Sequence, residues 1–401
     1  MLSHKKFLAG CAVLAVCGAV LAAIGIAFGG VLYGISFDSS GMHVSSPRLE
    51  KEGGQRFYEQ KEETVEAFER ISVDLAYADV RVKTSDSDAY TISYCLKGKD
   101  SIEYEVDEGT LFFQQKSKVS YANFQFNFFW WGRDLNDTGM EEYLEISVPK
   151  NAGFSLIEVY TENGNAVYQN IHADSLKVVS DYGDVTLQEV QAQNIEAEME
   201  NGMLQMDQIT GTNCKVLDQY GDIRLSDVTL AGDIQIEAEN GEIRFEQVTG
   251  KGCKVVDQYG DMNLSDVKFS ADMEAEIENG DVSFRNVVLR DLKLQNSYGN
   301  ISGQQTEFRN LQLDAENGDC VFENALVENC VANLEFGNIR LVLANPVTDY
   351  VYKLKTEYGE IEVDGENMGE SYVSLEKEKE KSITIECSSG DVTINGNGDG
   401  I

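Results

Sequence analysis

The sequence predicts an all-β protein: a parallel β-solenoid of 19–20-residue coils in alternating pairs, behind one N-terminal transmembrane helix. Three observations carry that expectation. Glycines recur at a near-constant step, apolar columns are locked to those glycines, and one long uncharged run lies near the N-terminus.

The uncharged run, Phe7 to Phe37, spans 31 residues, well beyond the ~20 that a helix needs to cross a bilayer. It predicts a membrane anchor. His4, Lys5 and Lys6 precede the run and Asp38 follows it, so residues 1–6 should stay cytoplasmic and the remainder should face outward. A cleaved signal peptide has a shorter apolar core. The "LAGC" at residues 8–11 has the look of a lipoprotein box, but only Phe7 separates it from the lysines. Residues 38–69 read as a polar stalk, with "EQKEETVEAFER" a short helix within it.

Residues 70–150 read as degenerate first coils. "YAD" stands at 77–79 where later coils have "YGD", and the aromatic insertion "YANFQFNFFWWGRD" occupies 121–134. Trp130 and Trp131 in that insertion either cap the open end of the stack or form an exposed patch for a partner.

From residue 151 to 401 the regular solenoid is expected. Between residues 155 and 360, glycines preceded by Asn or an aromatic stand at 164, 183, 202, 221, 241, 260, 280, 299, 318, 337 and 359, in steps of 19, 19, 19, 20, 19, 20, 19, 19, 19 and 22. A period near 20 residues signals units that stack on their neighbours. Seven residues before the glycine the positions are apolar (Ile195, Cys214, Ile234, Cys253), as they are five before (Ala197, Val216, Ile236, Val255) and two after (Leu204, Ile223, Ile243, Met262). Spacing of two means strands, so each coil should hold one strand before and one after its glycine. "ENG" is also a hairpin signal. Against hairpins stand Tyr182, Tyr220, Tyr259 and Tyr298 in the asparagine's place, since an aromatic residue suits a positive φ poorly.

The true repeat is a pair of coils. "KVLDQYGDIRLSDV" at 215–228 returns as "KVVDQYGDMNLSDV" at 254–267, 39 residues on. Six residues before the glycine, "YG" coils carry Lys177, Lys215, Lys254 and Lys293, whereas "NG" coils carry Glu158, Glu196, Gln235, Glu274 and Gln312. Stacking would set them opposite one another as a ladder that favours one register. Cys214, Cys253 and Cys330 share an inward column; Cys214 and Cys253, two coils or ~9.6 Å apart, are too distant for a disulfide.

Composition narrows the function. Lys and Arg total 32 against 69 Asp and Glu, a net charge of -37, which repels nucleic acid and anionic lipid. No nucleic-acid partner is expected. Beyond the anchor only His43 and His172 occur, so no histidine-based nucleophile system is visible, and neither catalytic residues nor cofactors are expected. Acids directly after the glycine (Asp184, Asp222, Asp261, Asp281, Asp319) and two before it read as solvated turn acids, with Ca²⁺ collection the weaker alternative because the "GGxGxDxUx" motif is absent. Tyr182, Tyr220, Tyr259, Tyr298 and Tyr358, with Phe336, form an aromatic file at roughly 10 Å intervals. It either packs solenoid corners or stacks on the rings of an extended glycan.

Taken together, the span, the "ISVPKNA" at 146–152 and the serial coils Gly183-Asp184-Val185, Gly221-Asp222-Ile223 and Gly280-Asp281-Val282 resemble the bacterial putative-adhesin family of β-strand-repeat proteins, over roughly residues 68–400. The resemblance implies an envelope-facing β-helix without catalytic residues. The sequence therefore predicts a single-pass binding module of the cell surface, with a glycan or an envelope protein as partner. Its ligand-binding candidates are Tyr182, Tyr220, Tyr259, Tyr298, Tyr358, Trp130 and Trp131. A regulatory partner in an envelope-stress system, contacting a membrane protein through the tryptophans, is the alternative.

Overall fold

The computed structural model describes residues 34–38, 41–45, 57–97, 102–115, 141–374 and 379–396. The chain divides into two compact units. In the first, Gly34–Asp38 and Gly41–Ser45 pair antiparallel as a hairpin. The last residues of the expected anchor, 34–37, are thus extended, while residues 7–33 lie outside the described residues. Among the described residues no helix is long and apolar enough to cross a membrane.

The second unit is a parallel β-solenoid. Strand Leu204–Tyr220 shows the plan of one coil: it pairs in parallel with Ile223–Leu230 through its first half and with Asp233–Asn240 through its second. Leu204, Met206, Ile209, Cys214 and Val216 are buried while the residues between them face outward. The columns read from the sequence do face inward. Further inward columns, seven and nine residues after the glycine, accompany them, as in Val228 and Leu230.

Two corners bend each coil, and the sequence suggests only the first. At the glycine corner the stack is so close that a Cβ on Gly241 would lie 1.8 Å from the carbonyl oxygen of Gly221. No side chain fits there. The second corner lies six residues on, where Asn170, Glu189, Gln208, Asp227, Gln247, Asp266, Asn286, Gln305 and Asn324 adopt φ of 51° to 57°. Asn and Asp tolerate that left-handed turn best. Each coil therefore carries three short strand segments rather than two.

Both ends depart from sequential stacking. Arg70–Tyr77 lies between Thr110–Gln115 and Phe154–Asn163, pairing parallel with both. At the other end Lys381–Ser389 is inserted between Cys320–Phe336 and Tyr350–Tyr358. Gly359 is consequently not the rung after Gly337; Gly390 stands between them. At the N-terminal end the chain lays the penultimate rung first and then the outermost one, whereas at the C-terminal end it lays the outermost rung first and returns to fill the place beneath it. Antiparallel strands then cover the edges: Ile102–Asp107 on Thr110–Gln115 and Tyr90–Lys97 on Tyr143–Pro149, with Ser371–Val373 on Tyr350–Tyr358 opposite. Covered edges cannot template further pairing.

The expected helix in "EQKEETVEAFER" is instead strand Phe57–Val65, paired with Tyr90–Lys97. Edge covering outweighs local helix propensity there. Phe68, at the end of that segment, is buried against Phe154 with ring centroids 6.0 Å apart. The Lys–Glu ladder forms in the expected register, Lys177 opposite Glu196 and Glu274 opposite Lys293; Lys293 Nζ stands 2.6 Å from Glu274 Oε1. Cys95, Cys214, Cys253, Cys320, Cys330 and Cys387 are buried free thiols. Burial pushes the Cys214 and Cys330 thiols up to about 12, so they act as small core hydrophobes.

Candidate functional site: an aromatic file on the glycine corners

The residue before each glycine stands at the lip of the first corner. Strand pairing connects these residues in one line: Tyr77, Asn163, Tyr182, Asn201, Tyr220, Asn240, Tyr259, Asn279, Tyr298, Asn317, Phe336, Ser389 and Tyr358. An aromatic side chain occupies every second rung without a break. The sequence alone would put Phe336 and Tyr358 on adjacent coils; the inserted rung supplies Ser389 between them and restores the alternation. At the other end the displaced coil adds Tyr77, which sequence reading left out.

These rings face solvent. Tyr77, Tyr182, Tyr220, Tyr259, Tyr298 and Phe336 are 52–57% exposed, and Tyr358 is 77% exposed. Seven aromatics over twelve strand spacings span ~58 Å, one per ~9.6 Å. Of the residues expected from the sequence, Tyr182, Tyr220, Tyr259, Tyr298 and Tyr358 are brought together. Trp130 and Trp131 lie outside the described residues.

Carboxylates flank the file on both sides. After the glycines, Asp222, Asp261 and Asp281 each accept a backbone N–H of the next rung through Oδ1, from Glu242 at 3.0 Å, Asp281 at 2.9 Å and Asn300 at 2.7 Å. This accounts for the acid after each glycine as a stacking bond. Among the described residues no three His, Cys, Asp or Glu side chains come together to hold a metal ion. Two residues before the glycines, Glu200, Glu239, Glu278 and Glu316 are exposed on the rungs between the tyrosines.

Beneath the file lies a feature that sequence reading missed. Asp218 and Asp257, the first residues of the two "DQYGD" stretches, point into the core and are 4% and 1% exposed. Counting on by two from Cys214 and Val216 would have found Asp218. On two other rungs a polar residue of this column donates to a glycine carbonyl: Asn296 Nδ2 to Gly280 at 3.0 Å and Thr356 Oγ1 to Gly390 at 2.9 Å. An ionised carboxylate has no proton to donate. Desolvation pushes Asp218 up to about 7 and Asp257 up to about 6, although backbone N–H groups of Gln219, Gln258 and Tyr259 hold them down in part. Both thus keep their protons well above the ordinary carboxylate range.

An open groove of about 770 Å³ crosses the early coils, where Ala173, Ala192 and Gly211 take the inward column that Phe269 and Phe308 fill later. His172 and Asp174 rim it. It is a taper in core side-chain size.

With this geometry in view, the comparisons decide the family. The Toastrack DUF4097 family matches residues 68–237 and again 231–395. The chain belongs to that family. Each Toastrack match contains one of the two interleaved ends. Among curated proteins none matches the chain. Solved structures similar to it include a protein described as a putative adhesin from Bacteroides fragilis, with 19% identity over 52% of this chain and 96% of that one and a TM-score of 0.32. Another is described as a putative lipid binding protein from Parabacteroides distasonis, with 16% identity over 71% and 97% and a TM-score of 0.35. A second P. distasonis protein, described as a putative adhesin, has 13% identity over 71% and 95% and a TM-score of 0.31. The Toastrack match, and not these likenesses, places the chain.

Proposed function

We propose that this Toastrack protein is a non-catalytic binding module, anchored in the cell membrane by the part of the uncharged run that begins at Phe7 and ends before the strand at Gly34, with its solenoid outside, and that the aromatic file is its recognition element. One observation carries the reading. Seven aromatic rings stay at least half exposed on every second rung, although burying them would stabilise each by roughly 1.5–3 kcal/mol. Core packing does not account for rings left in water at so regular an interval. The file runs along the stack, so its partner is an extended chain.

Two measurements test this. Reporter fusions placed after Asp38 should be active only outside the cytoplasm; activity inside would refute the topology. Arrays of oligosaccharides and of peptides, probed with the full chain, should retain ligands that the triple variant Tyr220→Ala, Tyr259→Ala, Tyr298→Ala loses while its melting temperature holds. Unchanged retention would end the role of the file. Capture of a membrane protein that depends on Trp130 and Trp131 instead would favour the envelope-stress alternative.

A further inference from the structure

The charge around the tyrosines and the distance between them narrow the class of extended chain, on the reading above that the file is the recognition element. Tyr259 shows the recurring arrangement. It pairs with Asn240 on one side and Asn279 on the other, and the exposed Glu239 and Glu278 directly precede those asparagines. Asp261 stands across the corner on the tyrosine's own rung. Tyr182 and Tyr220 share this frame in full, so each of the three rings is a π-face set among carboxylates. A neutral sugar can donate hydroxyls to such a frame, but only an ammonium or guanidinium adds charge attraction to both ring and acids.

Spacing selects the conformation. A β-strand returns to one face every two residues, ~6.8 Å, out of step with rings ~9.6 Å apart. An α-helix returns after seven residues, ~10.5 Å, and drifts by about 1 Å at each ring. A polyproline II chain has three residues per turn and rises ~3.1 Å per residue, so every third side chain recurs at ~9.3 Å. Its drift is about 0.3 Å per ring. That chain also leaves its backbone carbonyls unpaired, and an asparagine, with two amide donors, stands on either side of Tyr259.

We infer that the file binds an extended basic peptide segment in the polyproline II conformation, with a Lys or Arg at every third residue lying over successive tyrosines. The test uses the full chain and the peptide (Lys-Pro-Pro)₆ in fluorescence anisotropy. Binding should weaken as salt rises. Each ring should contribute two- to fivefold, so the triple variant Tyr220→Ala, Tyr259→Ala, Tyr298→Ala should lose about ten- to a hundredfold. The corresponding Tyr→Phe triple should keep most of the affinity, and Glu239→Gln with Glu278→Gln should flatten the salt dependence. A peptide of equal composition with lysines alternately two and four residues apart should bind distinctly more weakly. Equal binding of the respaced peptide, or indifference to the Tyr→Ala changes, would overturn the inference and leave only non-specific attraction to an acidic surface. Tyrosine-dependent binding of a neutral β-linked oligosaccharide, with none of (Lys-Pro-Pro)₆, would overturn the inference while the recognition role of the file stood. Tyrosine-dependent binding of neither would bring down both.

Discussion

The two corners of each coil solve the same problem by different means. At the first, each rung's glycine lies against the carbonyl of the rung before it, 1.8–2.2 Å from where a Cβ would stand. At the second, the backbone turns through φ near 55° on Asn, Asp, Gln or Glu, and no glycine is used. The difference teaches what glycine is for here. Backbone conformation alone can be met by polar residues at modest cost, whereas the close approach of stacked carbonyls admits no side chain at all.

The largest effect should follow from putting a methyl group into the first corner. Gly241→Ala sets a Cβ against the Gly221 carbonyl at a φ of +126°, and should destabilise by roughly 3–5 kcal/mol. Thermal unfolding of the full chain measures it. A loss below ~1 kcal/mol would mean that the rungs separate easily and that the corners are equivalent.

An intermediate effect comes from the acids tucked under that corner. Below about pH 3.8, Asp218 and Asp257 are protonated in both folded and unfolded chains. As pH rises toward about 6 for Asp257 and about 7 for Asp218, the unfolded chain ionises while the folded one does not, so stability falls; above pH 7 the loss is complete. For Asp218 it is on the order of 4 kcal/mol. The pair Asp218→Asn and Asp257→Asn, which imitates Asn296, should therefore gain stability over the parent at pH 8 and little at pH 4. Comparing melting temperatures at the two pH values cancels the opposite trend of paired acids such as Glu274, which Lys293 holds below the usual carboxylate range. A gain independent of pH would show that the two carboxyls do not titrate as burial requires.

Least should happen at the second corner. Gln247→Gly relieves a left-handed residue (φ 55°) but frees the unfolded chain, and should change stability by no more than ~1 kcal/mol in either direction. A larger loss would show that the Gln247 side chain, and not the backbone turn, holds that corner.

This contrast also explains what could be read in advance. Glycine takes the first corner on every rung of the regular stack, with Ala78 in its place only on the rung of Tyr77, so it repeats in the sequence as a ruler, and the apolar columns follow from it by counting in twos. The second corner accepts four residue types that are equally at home on a solvated face, so Asp227 and Gln247 look like surface. Asp218 is passed over by a search for apolar columns because it is a carboxylate. Its column, fixed by Cys214 and Val216, already turned it inward.

The sequence by itself determined the coil: its period, its glycine corner, its inward columns and the alternation of tyrosine with asparagine. All of these depend on residues within about 20 positions of one another, where strand geometry and stacking leave one register. Only the tertiary structure decided the ends. A step of 22 from Gly337 to Gly359 looks like one more coil, yet the rung of Gly390 slides between them, and Arg70–Tyr77 is held beneath Thr110–Gln115 in the same way. At each end the outermost rung is covered by a short antiparallel strand instead of being left as a bare parallel edge. Rung order is a property of the finished stack, and it makes seven aromatics into one unbroken file.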